Sequence, residues 1–198
     1  MITRENLFKI SSLEKAYIDL YKEVNHAERQ KGVVSYQDHW PIEHHSPAIA
    51  YLAKKFNVNT ILDYGCSDGT QYTAMRLHER FGYPLPYLYE PSVSFLSQFP
   101  TRTFDMVVCT DVMEHVPEAL VSQVLARIIA YADLVAYFSI ADNPAYLILP
   151  NGENAHCTLK PVQWWIEKIQ EAKALIQKPN LKVYLHFGKA ETEQRLIL

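Results

Sequence analysis

The sequence predicts an α/β fold with a mostly parallel sheet, and three stretches carry that prediction. Residues 60–81 pass from an apolar run through an acid and a glycine-rich turn into a helical pattern. Tyr87–Tyr89 is expected to be a second strand, and the acid Glu90 follows it. Met106–Thr110 is a nearly continuous apolar run, as expected of a strand buried on both faces. A helical pattern follows at Glu118–Ala132, so strands and helices alternate as in parallel α/β folds.

Two helical patterns precede the first strand. Asn6–Gln30 has apolar residues at helical spacing, which predicts an amphipathic helix that packs on the domain or caps a pocket. Ser46 suits an N-cap and Pro47 a first helical position, so a helix is expected from there to Asn57. Gly32–His45, between the two, is expected to be a loop that forms an aromatic lid, with Tyr36, His39, Trp40, His44 and His45.

The C-terminal part of the chain predicts one long irregular segment among regular elements. A strand is expected at Leu134–Ile140, a helix at Val162–Gln177, and a final antiparallel pair at Leu181–Phe187 and Gln194–Leu198. Residues 143–161 contain three prolines and an Asn-Gly pair, and irregular segments of this length are commonly active-site loops. We expect this loop to cover the substrate of a single domain spanning residues 1–198.

Composition limits the classes of function. The chain has 198 residues, a net charge of −3 and a pI near 6.2, which argues against a strongly basic nucleic-acid surface. Cys66, Cys109 and Cys157 lack C-x-x-C spacing and are expected to be reduced thiols. No apolar run approaches the length of a membrane span, and no signal peptide is evident, so a cytoplasmic location is expected.

The turn between the first strand and its helix is a candidate cradle for a nucleotide-like cofactor. Glycine permits positive φ and a close approach of the backbone, and ligands of open α/β sheets bind at the carboxyl ends of the strands. The turn is not the phosphate-binding G-x-x-x-x-G-K-[ST], because no lysine follows Gly69. It is also not G-x-G-x-x-G, since Ser67 and Thr70 break that spacing.

Three motifs in order resemble those of class I S-adenosylmethionine (SAM)-dependent methyltransferases. Residues 63–69, D-Y-G-C-S-D-G, resemble motif I, D-x-G-x-G-x-G, with Ser67 in the place of the middle glycine. Glu90-Pro91-Ser92 resembles the D-x-S pattern after strand two, and residues 104–117 resemble F-D-x-V-x-x-x-x-V-L-E-H-V of the ubiquinone-biosynthesis type. Residues 151–165 are also similar to a set of uncharacterised phage and bacterial methyltransferase-like proteins.

The resemblance implies a Rossmann-like class I methyltransferase sandwich. The chain departs from the family in the strand-three region, which is expected to be shortened, because only a turn and a short extended or one-turn segment fit between Glu90 and Phe104. It implies SAM as cofactor and S-adenosylhomocysteine (SAH) as product. Glu90 would bind the ribose, and the backbone near Gly65 would hold the methionine part. Asp111 would meet the methionine amine or the acceptor. The full cofactor-binding set expected is Asp63, Gly65, Cys66, Ser67, Gly69, Glu90 and Asp111.

Catalysis by in-line methyl transfer needs positioning and, for some acceptors, a base. His115, His156 and Asp111 are the candidate catalytic residues, with a packing role for His115 left open. No metal site is expected, because His44 and His45 are adjacent and no H-E-x-x-H or nearby cysteine pattern supports zinc.

The hypotheses for function are a methyltransferase acting on a small molecule or exposed metabolite group, a SAM-binding regulatory module without turnover, and another nucleotide enzyme on the same fold. The absence of N-P-P-[YFW] makes DNA amino methylation improbable, and the protein is expected to be a monomer or homodimer that needs no membrane.

Overall fold

The computed structural model describes residues 6–30, 41–188 and 193–198. The strands of its sheet are β1 Ile61–Tyr64, β2 Tyr87–Tyr89, β3 Phe104–Thr110, β4 Ala132–Ile140, β5 Lys182–Phe187 and β6 Gln194–Ile197. Their order across the sheet is β2-β1-β3-β4-β5-β6. The first five strands are parallel, and β6 pairs antiparallel with β5. The predicted α/β class, the mostly parallel sheet and the final antiparallel pair are confirmed.

Helices cover both faces of the sheet. They are α1 Ser12–Gln30, α2 Pro41–Lys55, α3 Thr70–Thr73, α4 Leu77–Phe81, α5 Glu118–Tyr131 and α6 Val162–Ile176. The alternation of β3 separates two apolar cores: Val107 and Cys109 pack with α5 and α6, whereas Met106 and Val108 pack with α2 and α4. Within the described residues, no helix has the length and apolarity needed to cross a bilayer.

The region between β2 and β3 holds no strand among its residues, all of which are described. A single 3₁₀ turn, Ser94–Leu96, occupies it, and the N–H of Glu90 donates to the carbonyl of Leu96 at 3.0 Å. The chain therefore returns directly from β2 to β3. The expected shortening of the strand-three region is confirmed.

The helix predicted over residues 70–81 is wrong as one element, because α3 and α4 are separate short helices. Arg76 has a left-handed backbone with φ of 53°, which ends one helical path and begins another. Its Nε donates to Glu79 at 2.9 Å, and the turn sends Leu77 into the core at 0% exposure.

The predicted start of the second helix at Ser46 is also wrong. α2 begins at Pro41, so Pro47 lies inside the helix and His44 and His45 are helical rather than part of a loop. The hydroxyl of Ser46 donates to the carbonyl of Ile42 at 2.7 Å and caps nothing. Burial of Ile42 at 4% exposure extends the apolar face of the helix by one turn, which outweighs the local preference of Pro47 for a first position. Tyr36, His39 and Trp40 of the proposed lid lie outside the described residues.

The first helix begins later than predicted, at Ser12 rather than Asn6. The hydroxyl of Ser11 accepts the N–H of Glu14 at 3.1 Å, which is the contact an N-cap makes. The three cysteines are free thiols, with Cys66 and Cys109 buried and Cys157 half-buried, as expected from their spacing.

Candidate functional site

The turn after β1 is anchored to the end of β2. The N–H groups of Gly65 and Cys66 both donate to the carbonyl of Tyr89, at 2.8 and 3.2 Å. Gly65 has φ of 87°, and a side-chain carbon there would overlap the Val112 side chain. Gly69 has φ of 77°, and a carbon there would lie 2.7 Å from Leu88 Cδ1. Both glycines are therefore required by the local geometry, and the turn lies against the segment that follows β3.

Ser67 adopts the same left-handed backbone at the place of the missing middle glycine. Its φ is 54°, a conformation that costs a non-glycine residue about 1 kcal/mol or more. The Asp68 carboxylate accepts the N–H of Thr70 at 3.0 Å, which closes the turn onto α3. The turn thus keeps its left-handed path without glycine at position 67.

Asp63 ends β1 as a buried acid, with 1% of its surface exposed. The hydroxyl of Tyr72 donates to Oδ2 at 2.8 Å, while Oδ1 has no hydrogen-bond partner among the described residues. The pKa of Asp63 is raised to about 7, chiefly by burial and also by the nearby charge of Glu90, while interactions with Tyr72 and Gln71 act in the lowering direction. A buried acceptor of this kind is suited to a donor group or a positive charge on a ligand.

Glu90 stands beyond β2, next to the turn. Its Oε1 accepts the N–H of Ser92 at 2.9 Å and the hydroxyl of Ser92 at 2.6 Å. Burial raises the pKa of Glu90, and hydrogen bonds from Ser92 and from the backbone of Ser67 act in the opposite direction. Just beyond Ser92, Val93 is buried and Phe95 is 70% exposed. Asp63 and Glu90 together make this edge of the sheet acidic.

Asp111 follows β3 at the same edge of the sheet. Its φ of 51° is left-handed, and its N–H donates to the carbonyl of Ser139 at 3.0 Å. The Ser139 hydroxyl donates to Asp111 Oδ1 at 2.5 Å. Strained, non-glycine backbone of this type concentrates at functional sites, and here the neighbouring strand β4 fixes it.

The predicted base candidates His115 and His156 are brought together by the loop 143–161. Their ring centroids are 4.6 Å apart, with an 81° angle between the planes. His115 lies in the 3₁₀ turn Met113–His115 after β3, and the loop is attached there by Thr158, whose hydroxyl donates to the carbonyl of Val116 at 2.7 Å. Glu114 belongs to the same cluster: one ligand atom from each of the three residues lies within 4.8 Å of the others.

The first helix covers these segments rather than only packing on the core. The hydroxyl of Tyr21 lies 3.0 Å from His115 Nδ1, and the Asn25 amide donates to Ser92 Oγ at 3.0 Å. The Tyr17 hydroxyl donates to Glu153 of the loop at 2.6 Å, and this hydrogen bond raises the pKa of Tyr17 to about 12. The sequence favours a packing role for this helix, and the structure adds these polar contacts to the loop and to the segments after β2 and β3.

A buried ion pair attaches the same helix to α5. Arg127 is 0% exposed, and its Nη1 lies 2.6 Å from Glu14 Oε1 and 3.1 Å from the Tyr64 hydroxyl. Its Nε donates to the carbonyl of Leu7 at 2.8 Å. This ion pair could not be predicted from the sequence, because an arginine in an otherwise apolar helical pattern does not indicate which distant residue will pair with it.

Two histidines of the predicted lid, His44 and His45, lie on α2 and pack against β5. His44 and His45 of α2 contact His186 of β5, with the His45 and His186 rings 4.7 Å apart. Burial lowers the pKa of His45 to about 3, and the Tyr137 hydroxyl lies 2.8 Å from its Nδ1. His45 and His186 form a buried polar contact between α2 and the sheet, with the exposed His44 at its margin.

Comparison with known proteins identifies the family of the chain. A family model described as a methyltransferase domain matches residues 38–171, which is more than half of the chain. The protein therefore belongs to the methyltransferase-domain family, and the resemblance in its motifs is confirmed at that level. Searches of curated proteins and of solved structures return no match to the chain.

Proposed function

We propose that the protein uses SAM to methylate a small molecule or an exposed group of a larger metabolite by in-line displacement. The observation that carries the proposal is the pair of acids, Asp63 and Glu90, beside a glycine turn at the carboxyl edge of the sheet. SAM carries a positive sulfonium and an ammonium group, which such an edge would stabilise. Bound SAM supplies a methyl group on a sulfonium, which a nucleophile can displace.

The residues present fit this cofactor. Gly65 and Gly69 have no room for a side chain beside Val112 and Leu88, so glycine keeps the turn on its left-handed path next to the two acids. The unpartnered Oδ1 of Asp63 would accept a donor from the ligand. Glu90, held by Ser92, would accept the ribose hydroxyls, as acids at this position do in dinucleotide folds. Cys66 and Ser67 would line the turn.

Three residues at the end of β3 and in the loop would serve the acceptor. Asp111 is fixed by Ser139, and His115 and His156 face one another. Each would accept a proton from an acceptor that carries one, within the reach that general-base catalysis requires. The loop 143–161 and helix α1 would exclude water from this position, since both contact the His115 segment.

Calorimetric titration with SAH tests the cofactor assignment. We expect wild type to bind SAH and not NAD, and Glu90→Gln to weaken SAH binding roughly 10- to 150-fold, the loss of a charge-assisted hydrogen bond. Glutamine retains acceptors for Ser92, so the variant keeps its local structure. Glu23→Gln, which changes an exposed carboxylate, is the control and should bind as wild type does. Absence of SAH binding to wild type, or preference for NAD, would overturn the proposal.

A second candidate is a regulatory module that binds SAM without turnover, favoured by Ser67 in the motif and by the absence of a strand between β2 and β3. Methyl-labelled SAM incubated with a fractionated metabolite extract separates the two. Label in an acceptor that depends on Asp111, with Asp111→Asn as the test, supports the enzyme. SAH binding without transfer to any fraction supports the module.

A further inference from the structure

We propose that Glu114, His115 and His156 form a site for a divalent transition-metal ion, with Zn²⁺ the best fit. One ligand atom of each residue lies within 4.8 Å of the other two. Any two ligand atoms of one tetrahedral zinc ion are roughly 3.4 Å apart, given Zn–N and Zn–O bonds of about 2.1 Å, so binding would draw the three atoms together by at most about 1.4 Å. Two imidazoles and a carboxylate are a common catalytic zinc set.

Both imidazole rings are oriented by backbone carbonyls. His156 Nδ1 lies 2.5 Å from the carbonyl oxygen of Asn143, and His115 Nδ1 lies 3.0 Å from that of Ala155. A carbonyl oxygen can only accept, so in these contacts Nδ1 carries the proton and the lone pair is on Nε2. Metal-binding histidines typically donate their other ring N–H to a carbonyl or carboxylate, which fixes tautomer and orientation.

The side chain and the backbone of Glu114 are each held by a hydrogen bond. Glu114 is 0% exposed, and its Oε1 accepts the N–H of Ala141 at 2.9 Å. Its backbone carbonyl accepts the N–H of Thr158 at 3.0 Å. Placing a carboxylate in the interior is costly, and a divalent cation would stabilise its charge there.

The two segments that supply the ligands are attached to each other on both sides of the cluster. Besides the Thr158 contacts, Cys157 Sγ donates to the carbonyl of His115 at 3.4 Å. The Tyr21 hydroxyl donates to the carbonyl of Ala155 at 3.1 Å, beside His115. The ligands are therefore supported by neighbouring hydrogen bonds, as a preorganised metal site requires.

Three protein ligands leave a coordination position for an exchangeable group. An oxygen bound there would be polarised and would lose its proton more readily. The position follows β3 beside Asp111, so proton removal would fall to Asp111 when the imidazoles bind the metal. The roles of the metal-bound oxygen and of Asp111, and the preference for a hydroxyl-bearing acceptor that they imply, rest on the proposed methyl transfer. Metal binding itself does not depend on that proposal.

Zinc titration of chelator-treated wild type, after removal of the chelator, tests the site. We expect one Zn²⁺ per chain, with affinity reduced more than about 10-fold in His156→Gln and in Glu114→Gln. His44→Ala, which removes an exposed imidazole of the other histidine cluster, should bind as wild type does. Because SAM and acceptor are absent, the result is independent of the SAH titration.

A second measurement needs no variant to fold. X-ray absorption of the zinc-loaded wild type should show two imidazole ligands and oxygen, without sulfur. The proposal is overturned if wild type binds no stoichiometric zinc. It is equally overturned if the folded Glu114 and His156 variants match wild type, or if the spectrum shows thiolate ligation.

Discussion

Replacing Asp63 by asparagine should change how the stability of the protein depends on pH. Burial raises the pKa of this carboxyl from its usual 3.8 to about 7 in the folded protein. Because the folded-state pKa is the higher one, the folded state binds the proton more tightly than the unfolded state. The stabilisation from this proton is fully present below pH 3.8 and is lost as pH rises through 7.

The magnitude follows from the shift. A pKa difference of about 3 corresponds to about 4 kcal/mol at 1.36 kcal/mol per unit. Wild type should therefore lose about 4 kcal/mol between pH 4 and pH 8 through this group, and Asp63→Asn should lose none of it. The difference in free energy of unfolding, variant minus wild type, should rise by about that amount across the same range.

Urea unfolding of both proteins at several pH values measures the difference. Glu23→Gln is the control, because its carboxylate is exposed and its curve should run parallel to that of wild type. Asparagine puts an amide group where one carboxylate oxygen, Oδ1, has no hydrogen-bond partner among the described residues. This shifts the free energy of unfolding of the variant by the same amount at every pH. Parallel curves for Asp63→Asn and wild type would refute the reasoning, because they would mean that this carboxyl titrates alike in the folded and unfolded chains.

Two further predictions concern the turn and the first helix. Gly65→Ala should reduce SAH affinity more than about 10-fold, because a side chain at this positive φ would overlap Val112. The control Gly152→Ala, at φ of 86° with nothing within 4 Å, should bind SAH as wild type does. Equal affinities of the two variants in a titration would contradict the requirement for glycine at position 65. Arg127→Met should destabilise the protein by about 3–5 kcal/mol, because Glu14 stays buried without its partner. The double variant Arg127→Met with Glu14→Leu should recover most of this loss, as measured by urea unfolding. An equally large loss in the double variant would show that the ion pair is not the cause.

The sheet could be predicted from the sequence because its strands carry their own signals. Met106–Thr110 is apolar throughout and is buried on both faces, and Tyr87–Tyr89 was predicted with its observed bounds. The glycine turn was predicted for a physical reason that the structure shares, positive φ at Gly65 and Gly69. The local sequence pattern is sufficient for prediction where the conformation of a segment depends mainly on its own residues.

Prediction was weaker where the local structure depends on contacts with segments that are distant in the sequence. Glu114, His115 and His156 meet because the loop hydrogen-bonds to the segment after β3, and no spacing in the sequence encodes that contact. The first turn of α2 and the break at Arg76 depend likewise on burial of Ile42 and Leu77, which a local N-cap or helix pattern does not reveal. The roles of the individual site residues stay predictions.

Amide hydrogen exchange with and without SAH is the most direct test of where the cofactor binds. SAH should slow exchange in peptides that cover residues 63–72 and 89–97, because these hold the glycine turn, Glu90 and Ser92. Peptides from α6 should be unchanged, because that helix carries none of the residues expected to bind the cofactor. Protection confined to those two segments would support the SAM pocket at the edge formed by β1 and β2. Binding of SAH that leaves both segments unprotected would contradict it.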